Sequence, residues 1–391
     1  MRITWVTRSF LDYRIPVYDH INRLSNNRLT VIYYEDVVPA RCQEKLKSIL
    51  GDRAIGLSGE IRLGGQKEQN QAFANTGGLR IPIRPGLVRK VRKTHPEIIL
   101  SDGFFQWTYA ALLNRAFWRT PHLMCYERTH HTERNVTGIR SKARKMAAKY
   151  IDAVCCNGIQ TREYLHDFGF PKEKLFTGNM AADSDGLAHA VSQLSEKEIE
   201  SLKIKYDLHG RIFLYVGQLI PRKGIMELLQ AWKKFEKSTP GQTLVLLGGG
   251  EQLEEVKTWI SQKQVKTIKL PGKVDYSEVA HFYAAGDIFI MPTLEDNWSL
   301  VVPEAMSCRL PIICSKYNGC WPELVKPENG WVFDPLNPQN FADAFQLAWE
   351  NREKWPVMGE ESLNIAKEYS PQKIAEQIFT ACRETLSNKK L

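Results

Sequence analysis

The 391-residue chain has 43% hydrophobic and 25% charged residues and a formal net charge of +9, the composition of a soluble globular protein too long for one ordinary core, so two domains are expected. No stretch reaches the roughly 18 apolar residues of a membrane span, and the N-terminus enters a strand-like Ile3-Thr4-Trp5-Val6 with no signal-peptide pattern, which points to the cytoplasm. The eight cysteines are scattered and no Cys or His pair has convincing metal-ligand spacing, so reduced core thiols are expected rather than a disulfide framework or a zinc site.

The first half alternates strand and helix signals. Arg2 to Thr7 reads as a strand, Pro16 to Leu24 has helical spacing, and Leu29 to Tyr34 is again a strand. Residues 40 to 80 are interrupted by Gly51, Gly56, Gly59, Gly64-Gly65 and Gly77-Gly78 and read as a mobile loop region over a site. Ile98-Ile99-Leu100 and His122 to Tyr126 follow as buried strands, with Trp107 to Phe117 helical between them. This alternation is that of a doubly wound α/β domain. From Arg80 to Tyr150 there are 15 Lys or Arg against 4 acids, a local charge of +11 that leaves −2 for the remainder. Such a segment suits an anionic lipid surface, a lipid pyrophosphate or an acidic glycan; the alternative is a solvated basic face with no partner. Nucleic acid is not expected, because no recognised binding motif accompanies the charge. Directly after the strand ending in Tyr126 comes the dense polar run Glu127-Arg128-Thr129-His130-His131-Thr132-Glu133-Arg134, a pattern that favours a site over a surface loop.

A polar break near residues 178 to 210 marks the connection between domains 1–185 and 186–369, with residues 370–391 as a C-terminal helix presenting Ile374, Ile378, Ala381 and Leu386 on one face. The second domain restarts the pattern with strands Ile212 to Val216, Thr243 to Leu247, Thr267 to Leu270, Ile288 to Met291 and Leu310 to Cys314. Two successive α/β domains imply a ligand cleft between them. The first of these strands ends in Gly217-Gln218-Leu219-Ile220-Pro221-Arg222-Lys223-Gly224 before a helix, which suits either a phosphate or an exposed turn with two cations. The second ends in Gly248-Gly249-Gly250, where backbone could approach a ligand closely or simply turn. The third leads to Gly272-Lys273-Val274, whose open backbone groups could pair with a nucleobase edge. The fourth leads through Pro292 to Glu295-Asp296-Asn297-Trp298-Ser299-Leu300-Val301 and then to a helix opened by Pro303-Glu304. There Glu304 either grips a ligand or complements the helix dipole.

Four consecutive strand ends carrying cations, triple glycine, Gly-Lys-Val and paired carboxylates resemble the C-terminal domain of the retaining GT-B glycosyltransferases of family 4, over residues 211 to 335. The resemblance implies two Rossmann-like doubly wound domains facing a central cleft, with the C-terminal helix crossing back to the first domain. The family's Glu-x7-Glu pattern is met by Asp296 and Glu304. By resemblance, Glu304 would hold the ribose diol and Asp296 the hydroxyls of the transferred sugar. Backbone N–H groups of Ser299, Leu300 and Val301, together with Lys223, would hold the pyrophosphate, and the Val274 backbone would meet the base. Gly217, Gln218, Arg222, Gly249, Gly250, Asn297 and Trp298 complete the implied donor site. The family usually has Arg after the first Gly of the phosphate loop; Gln218 stands there, and Arg222 would supply the charge. The Gly-Gly turn that many members carry after the first strand is replaced by Arg8-Ser9-Phe10-Leu11-Asp12-Tyr13-Arg14. In many relatives a His near the reacting sugar follows the strand that ends here at Tyr126; Glu127, His130 and His131 are the candidates. On the acceptor side, Arg8, Tyr13, Arg14, Asp102, Arg128 and Arg134 lie beyond strand ends of the first domain.

The implied function is retaining, metal-independent transfer of a hexose-type sugar from a UDP- or GDP-sugar to a glycan or lipid-linked glycan, in cell-envelope polysaccharide or lipopolysaccharide synthesis. No cofactor is implied. The basic segment would suit peripheral docking at the inner face of the cytoplasmic membrane, with Phe104-Phe105-Trp107 and Phe117-Trp118 as candidates for insertion and the group Lys142, Arg144, Lys145 and Lys149 as one cationic face. A sugar-nucleotide epimerase on the same fold, or a non-catalytic module that binds sugar nucleotides or polyanions, is the alternative.

Overall fold

The computed structural model describes residues 1–63, 81–104, 107–178 and 180–388. The chain divides into two compact units: Met1–Ala181 with Pro371–Leu391, and Ala182–Ser370.

The first unit contains β1 (Ile3–Val6), β2 (Leu29–Tyr34), β3 (Ala54–Leu57), β4 (Ile61–Leu63), β5 (Ile81–Ile83), β6 (Ile98–Asp102), β7 (His122–Tyr126), β8 (Ala153–Cys156) and β9 (Leu175–Thr177). Seven of them form a parallel sheet in the order β3-β2-β1-β6-β7-β8-β9, and β4 pairs antiparallel with β5. Side chains alternate across the sheet, so each strand feeds two cores. Ile3, Trp5, Ile98, Leu100, Leu123, Cys125 and Cys155 pack with the helices Ile15–Leu24, Ala40–Leu50 and Pro371–Ser387. On the opposite face, Val6 and Ile99 pack under the helices Leu87–Lys93 and Thr108–Trp118. Met124, Val154 and Cys156 pack there with Ala147 and Ala148 of the helix Gly138–Ala148.

The second unit contains β10 (Ile212–Val216), β11 (Thr243–Leu247), β12 (Ile268–Gly272), β13 (Ile288–Met291), β14 (Ile312–Ser315) and β15 (Gly330–Phe333), all parallel in the order β12-β11-β10-β13-β14-β15. Both sheets reverse direction beside their first strand, at β1/β6 and at β10/β13. In open α/β sheets the crevice beyond the strand ends at such a reversal is where ligands bind.

Several expectations change. Residues 40–63 are structured rather than loop: Cys42, Leu46 and Leu50 recur at four-residue spacing and bury one side of the helix Ala40–Leu50, and β3 and β4 follow. Gly51 only ends that helix, with a φ of 56°; Gly64-Gly65 and Gly77-Gly78 lie outside the described residues. The boundary falls at 181/182 instead of 185/186. Of the aromatic candidates for membrane insertion, Phe104 and Trp107 are core residues, Phe105 lies outside the described residues, and Phe117 and Trp118 are exposed. Arg144 is buried and cannot belong to a docking face, because Glu133 on the preceding helix His130–Glu133 takes its charge inside the fold.

The helix Pro371–Ser387 buries Ile374, Ala375, Ile378, Ala381 and Cys382 in the first unit's core. Ile378→Ala is therefore expected to cost about 2–5 kcal/mol. The exposed Glu384→Ala should stay within about 0.5 kcal/mol. Urea unfolding followed by circular dichroism measures both.

Candidate active site

The site of the second unit is built where β10 and β13 end. After β10 the chain runs through Gly217 and Gln218 into the one-turn 3-10 helix Pro221–Lys223, then Gly224 opens the helix Ile225–Ser238. The Arg222 carbonyl accepts three donors from the loop after β13: Thr293 Oγ1 at 3.0 Å, Leu294 N at 2.8 Å and Glu295 N at 3.1 Å. Side chains add a second tie, since the Lys223 ammonium is hydrogen-bonded to Asp296 Oδ2 and Arg222 Nη1 lies 3.9 Å from the same oxygen. Lys223 is buried, whereas Arg222 is exposed. Burial would raise the Asp296 carboxyl, but Lys223, the Ser299 hydroxyl and Arg222 outweigh it and hold the group below the usual carboxylate range. In the free protein Asp296 and Lys223 thus neutralise each other, a pairing that their separate expected roles did not include.

The backbone around Asp296 is fixed by Asn318. Asp296 N donates to Tyr317 O at 3.3 Å and Gly319 N donates to Asp296 O at 3.0 Å, forming an isolated parallel bridge between Asp296 and Asn318. The Asn318 side chain accepts from Ser299 N at 3.3 Å. In the free protein the Ser299 amide, expected at the pyrophosphate, is thus engaged by the segment that follows β14. Leu300 and Val301 stand at the start of the helix Val301–Ser307, whose first-turn N–H groups lack partners within the helix. Trp298 is buried, its ring 6.0 Å from that of Tyr369, and its backbone N–H donates to Asp296 Oδ1 at 3.2 Å.

Glu304 does not sit on an exposed helix, as its neighbours Val302, Pro303, Ala305 and Met306 are buried. Its Oε2 accepts from the Tyr283 hydroxyl at 3.1 Å. Burial, with a smaller contribution from Asp183, pushes its carboxyl up to about 7 against the opposing Tyr283 hydrogen bond. Dipole complementarity alone would lower it, so the environment holds a carboxyl poised to change charge near neutrality.

Two glycines of the run after β11 pack against backbone of the protein itself. A Cβ on Gly248 would lie 2.0 Å from the Gly217 carbonyl oxygen, and one on Gly250 would lie 2.3 Å from the Leu219 carbonyl oxygen. Those two glycines let two loops of this protein touch, with Leu219 N donating to Gly249 O at 3.0 Å. Gly249 alone faces open space. Gln218 is exposed and its carbonyl accepts from the Tyr215 hydroxyl at 2.8 Å. Val274 follows β12 and is half-buried.

At the β1/β6 reversal of the first unit lies a cavity of about 240 Å³, whose lining includes Tyr13, Arg14, Asp102, Glu127, Arg128 and Arg140. Arg14 pairs with Asp102 at 3.2 Å and lies over the Trp5 ring. Among the described residues, Arg8, His130, His131 and Arg134 do not line it. Arg8 is drawn to Glu60 at 2.8 Å, His130 meets Asp167 at 3.0 Å on the surface, and the Arg134 guanidinium donates to the His131 carbonyl. Part of the polar run is a capping box, with Thr129 and Thr132 closing the start of the helix His130–Glu133. Sequence reasoning missed Tyr283, Asn318 and Asp183. A Tyr on the helix preceding β13 is the one signal that pointed to a partner for Glu304.

The family model described as Glycosyl transferases group 1 matches residues 196–373, and that described as Glycosyltransferase Family 4 matches residues 57–177. The chain belongs to family 4 of the GT-B glycosyltransferases. It is 28% identical over 224 residues to O-antigen chain mannosyltransferase B of Escherichia coli, covering 56% of this chain and 57% of that one. To the D-inositol 3-phosphate glycosyltransferase of Corynebacterium glutamicum it is 22% identical, covering 86% and 83%. The chain spans less than two thirds of the length of three of the curated relatives that it matches. Among solved structures, HepE of Anabaena in complex with UDP superposes with a TM-score of 0.74 at 18% identity, covering 99% of this chain and 100% of that one.

The loop contact is open to test. Gly248→Ala, at a φ of 143° and facing backbone, should lower the thermal midpoint by roughly 5–15 °C. Gly249→Ala should move it by less than about 2 °C, measured by differential scanning fluorimetry.

Proposed function

We propose that the protein transfers a hexose-type sugar from a nucleoside diphosphate donor to a glycan acceptor with retention of configuration. The observation that carries this reading is the Glu304 carboxyl, held by Tyr283 eight residues after an Asp296 that is locked to the cationic loop. A carboxylate accepts from both hydroxyls of a ribose, which suits Glu304. Leaving-group charge on the pyrophosphate would be met by Arg222, Lys223 and the N–H groups of Leu300 and Val301, so that fixed protein charges take the part a metal ion plays elsewhere. Donor entry would compete for Lys223, freeing Asp296 to accept from sugar hydroxyls. HepE has been crystallised with UDP and with UDP-glucose, which supports a nucleotide-sugar donor. The mannosyltransferase relative, named for O-antigen chains, supports an envelope glycan as acceptor. Incubation with UDP- and GDP-sugars and a lipid-linked acceptor, with the anomeric configuration of the product read by NMR, tests transfer and retention together. An altered sugar nucleotide that forms whether or not acceptor is present would make it an epimerase instead, and full activity in EDTA is expected.

If Glu304 accepts from the ribose diol, it must be ionised to do so. Its carboxyl is protonated below about 7 in the free protein, so nucleotide affinity should rise as pH passes upward through that value and protons should be released on binding. Glu304→Gln should weaken nucleotide binding by about 10- to 100-fold above pH 8. It should also remove the pH dependence, and calorimetry between pH 6 and 8.5 decides.

We further propose that the first unit docks on an anionic membrane. No helix among the described residues is long and apolar enough to cross a membrane. Yet the face covered by the helices Leu87–Lys93, Thr108–Trp118 and Gly138–Ala148 exposes Arg89, Lys90, Arg92, Lys93, Lys142 and Lys145 beside Phe117 (72% exposed), Ile139 (79%) and Met146 (67%). Each cation near such a surface contributes about 1 kcal/mol. Co-sedimentation should rise with phosphatidylglycerol content and fall with salt, and charge reversal at Arg89, Lys90, Lys142 and Lys145 should abolish it. Equal binding to neutral and anionic vesicles would leave a solvated basic face.

A further inference from the structure

Asp296 has a side-chain partner that donor binding would take away. Its Oδ2 is hydrogen-bonded by the Lys223 ammonium, and Arg222 Nη1 lies 3.9 Å from the same oxygen. Both cations stand on the loop that would meet the pyrophosphate, so a bound donor draws them toward phosphate oxygens. Asp296 then needs another donor to keep its carboxylate in place. Asn318 is positioned to supply one, because the two residues form a parallel bridge, with Asp296 N donating to Tyr317 O at 3.3 Å and Gly319 N donating to Asp296 O at 3.0 Å. Residues bridged in parallel present their side chains on the same side, from backbones roughly 4.8 Å apart. The Asn318 carboxamide is fully buried, and two backbone amides, Ser299 N at 3.3 Å and Cys320 N at 3.4 Å, both donate to its Oδ1 and so fix which end is oxygen. The other end, Nδ2, is buried too and has no hydrogen-bond partner among the described residues. An unpaired buried amide N–H costs stability, and here the free protein bears that cost beside a carboxylate that stands to lose its ammonium.

We propose that Asn318 is a positioning residue for sugar transfer: when the donor draws Lys223 away, Asn318 Nδ2 replaces it on the Asp296 carboxylate, which then accepts sugar hydroxyls in a fixed orientation. The inference rests on the reading of Lys223 and Asp296 as donor-binding groups. The exchange puts a neutral donor where a cation stood, so Asp296 keeps a hydrogen bond while the pyrophosphate gains the positive charge. The titratable groups facing Asp296 are Lys223 and Arg222 from the loop after β10, Tyr215 from β10 and Cys320 from the segment after β14. Burial keeps Tyr215 and Cys320 protonated, so neither takes over the part of the departing cation.

The test follows nucleotide release from a panel of UDP- and GDP-hexoses, with water as acceptor and the donor saturating, between pH 5 and 8.5. It compares the full chain with Asn318→Ala and Asn318→Asp. Aspartate keeps the volume and the oxygen that accepts from Ser299 and Cys320, but it lacks the amide donor. Both variants should bind UDP or GDP within about 5-fold of the wild type by calorimetry, yet lose at least about 30-fold in kcat. The acid limb of their kcat profile should also move to higher pH, because a carboxylate deprived of a donor is harder to keep ionised. A residue that merely supports the backbone would lower kcat without moving that limb. Thermal midpoints by circular dichroism show that each variant is folded, and should Asn318→Ala fail to fold, Asn318→Asp alone decides. Wild-type kcat in Asn318→Asp overturns the proposal, since the oxygen alone would then suffice, and so does a loss of nucleotide affinity that matches the loss of kcat. No nucleotide release by the wild type from any donor would sink the donor reading and this role with it, whereas wild-type release that persists unchanged in both variants sinks the role alone.

Discussion

The carbonyl oxygen of Arg222 is the point from which the rest of the second unit's site takes its geometry. It accepts from the Thr293 hydroxyl and from the amides of Leu294 and Glu295, so the loop after β13 is hung on the loop after β10 by one side-chain contact and two main-chain contacts that no side-chain replacement removes. Gly224 makes that approach feasible, because a Cβ there would stand 2.1 Å from the Pro292 carbonyl oxygen. With the loops joined, Lys223 and Asp296 meet and Trp298 is drawn into the interior. A buried pair of this kind is weak evidence for stability, since desolvation offsets most of its Coulomb attraction. Its value lies in placing two opposite charges where a ligand carrying both phosphates and hydroxyls could separate them.

The two units repeat one architectural solution with different chemistry. Each sheet reverses beside its first strand, and each reversal carries charged groups: Arg222, Lys223 and Asp296 in one, Arg14 and Asp102 in the other. In the second unit the loops are tied by backbone and packed glycine against carbonyl. In the first, the cavity is lined by side chains, and Trp5, buried behind one of them, donates from Nε1 to Asp102 Oδ1 at 3.2 Å. Where the resemblance leads one to expect a Gly-Gly turn, the first unit carries Ser9 to Arg14, which supply part of that lining.

Much of this was legible in the sequence because it depended on local order. Apolar runs closed by Gly or Pro marked β10, β11 and β13, and the spacing of Asp296 and Glu304 marked the acids. What escaped depended on partners far along the chain. Asn318 fixes Asp296 across 22 residues, and Tyr283 reaches Glu304 across 21. Charge counting places Arg144 on the surface because it takes no account of its pairing with Glu133 inside the fold. The glycines of residues 51 to 59 were overread as loop, where the buried Cys42, Leu46 and Leu50 already specified a helix. Gly248 and Gly250 were recognised as sites of close approach, but composition does not say to what.

The helix Pro371–Ser387 completes the core of a unit whose other residues end near Ala181, with the whole second unit encoded between them. A ribosome making roughly 5–20 residues per second therefore leaves the first unit without its last core helix for about 10–40 s after Ala181 has been added. During that interval the side of the helix Ile15–Leu24 on which the last helix packs lacks a cover, while the second unit, contiguous in sequence, can fold as it emerges. The unit whose synthesis begins first is therefore the one whose core is completed last, with its apolar face open to association in the meantime.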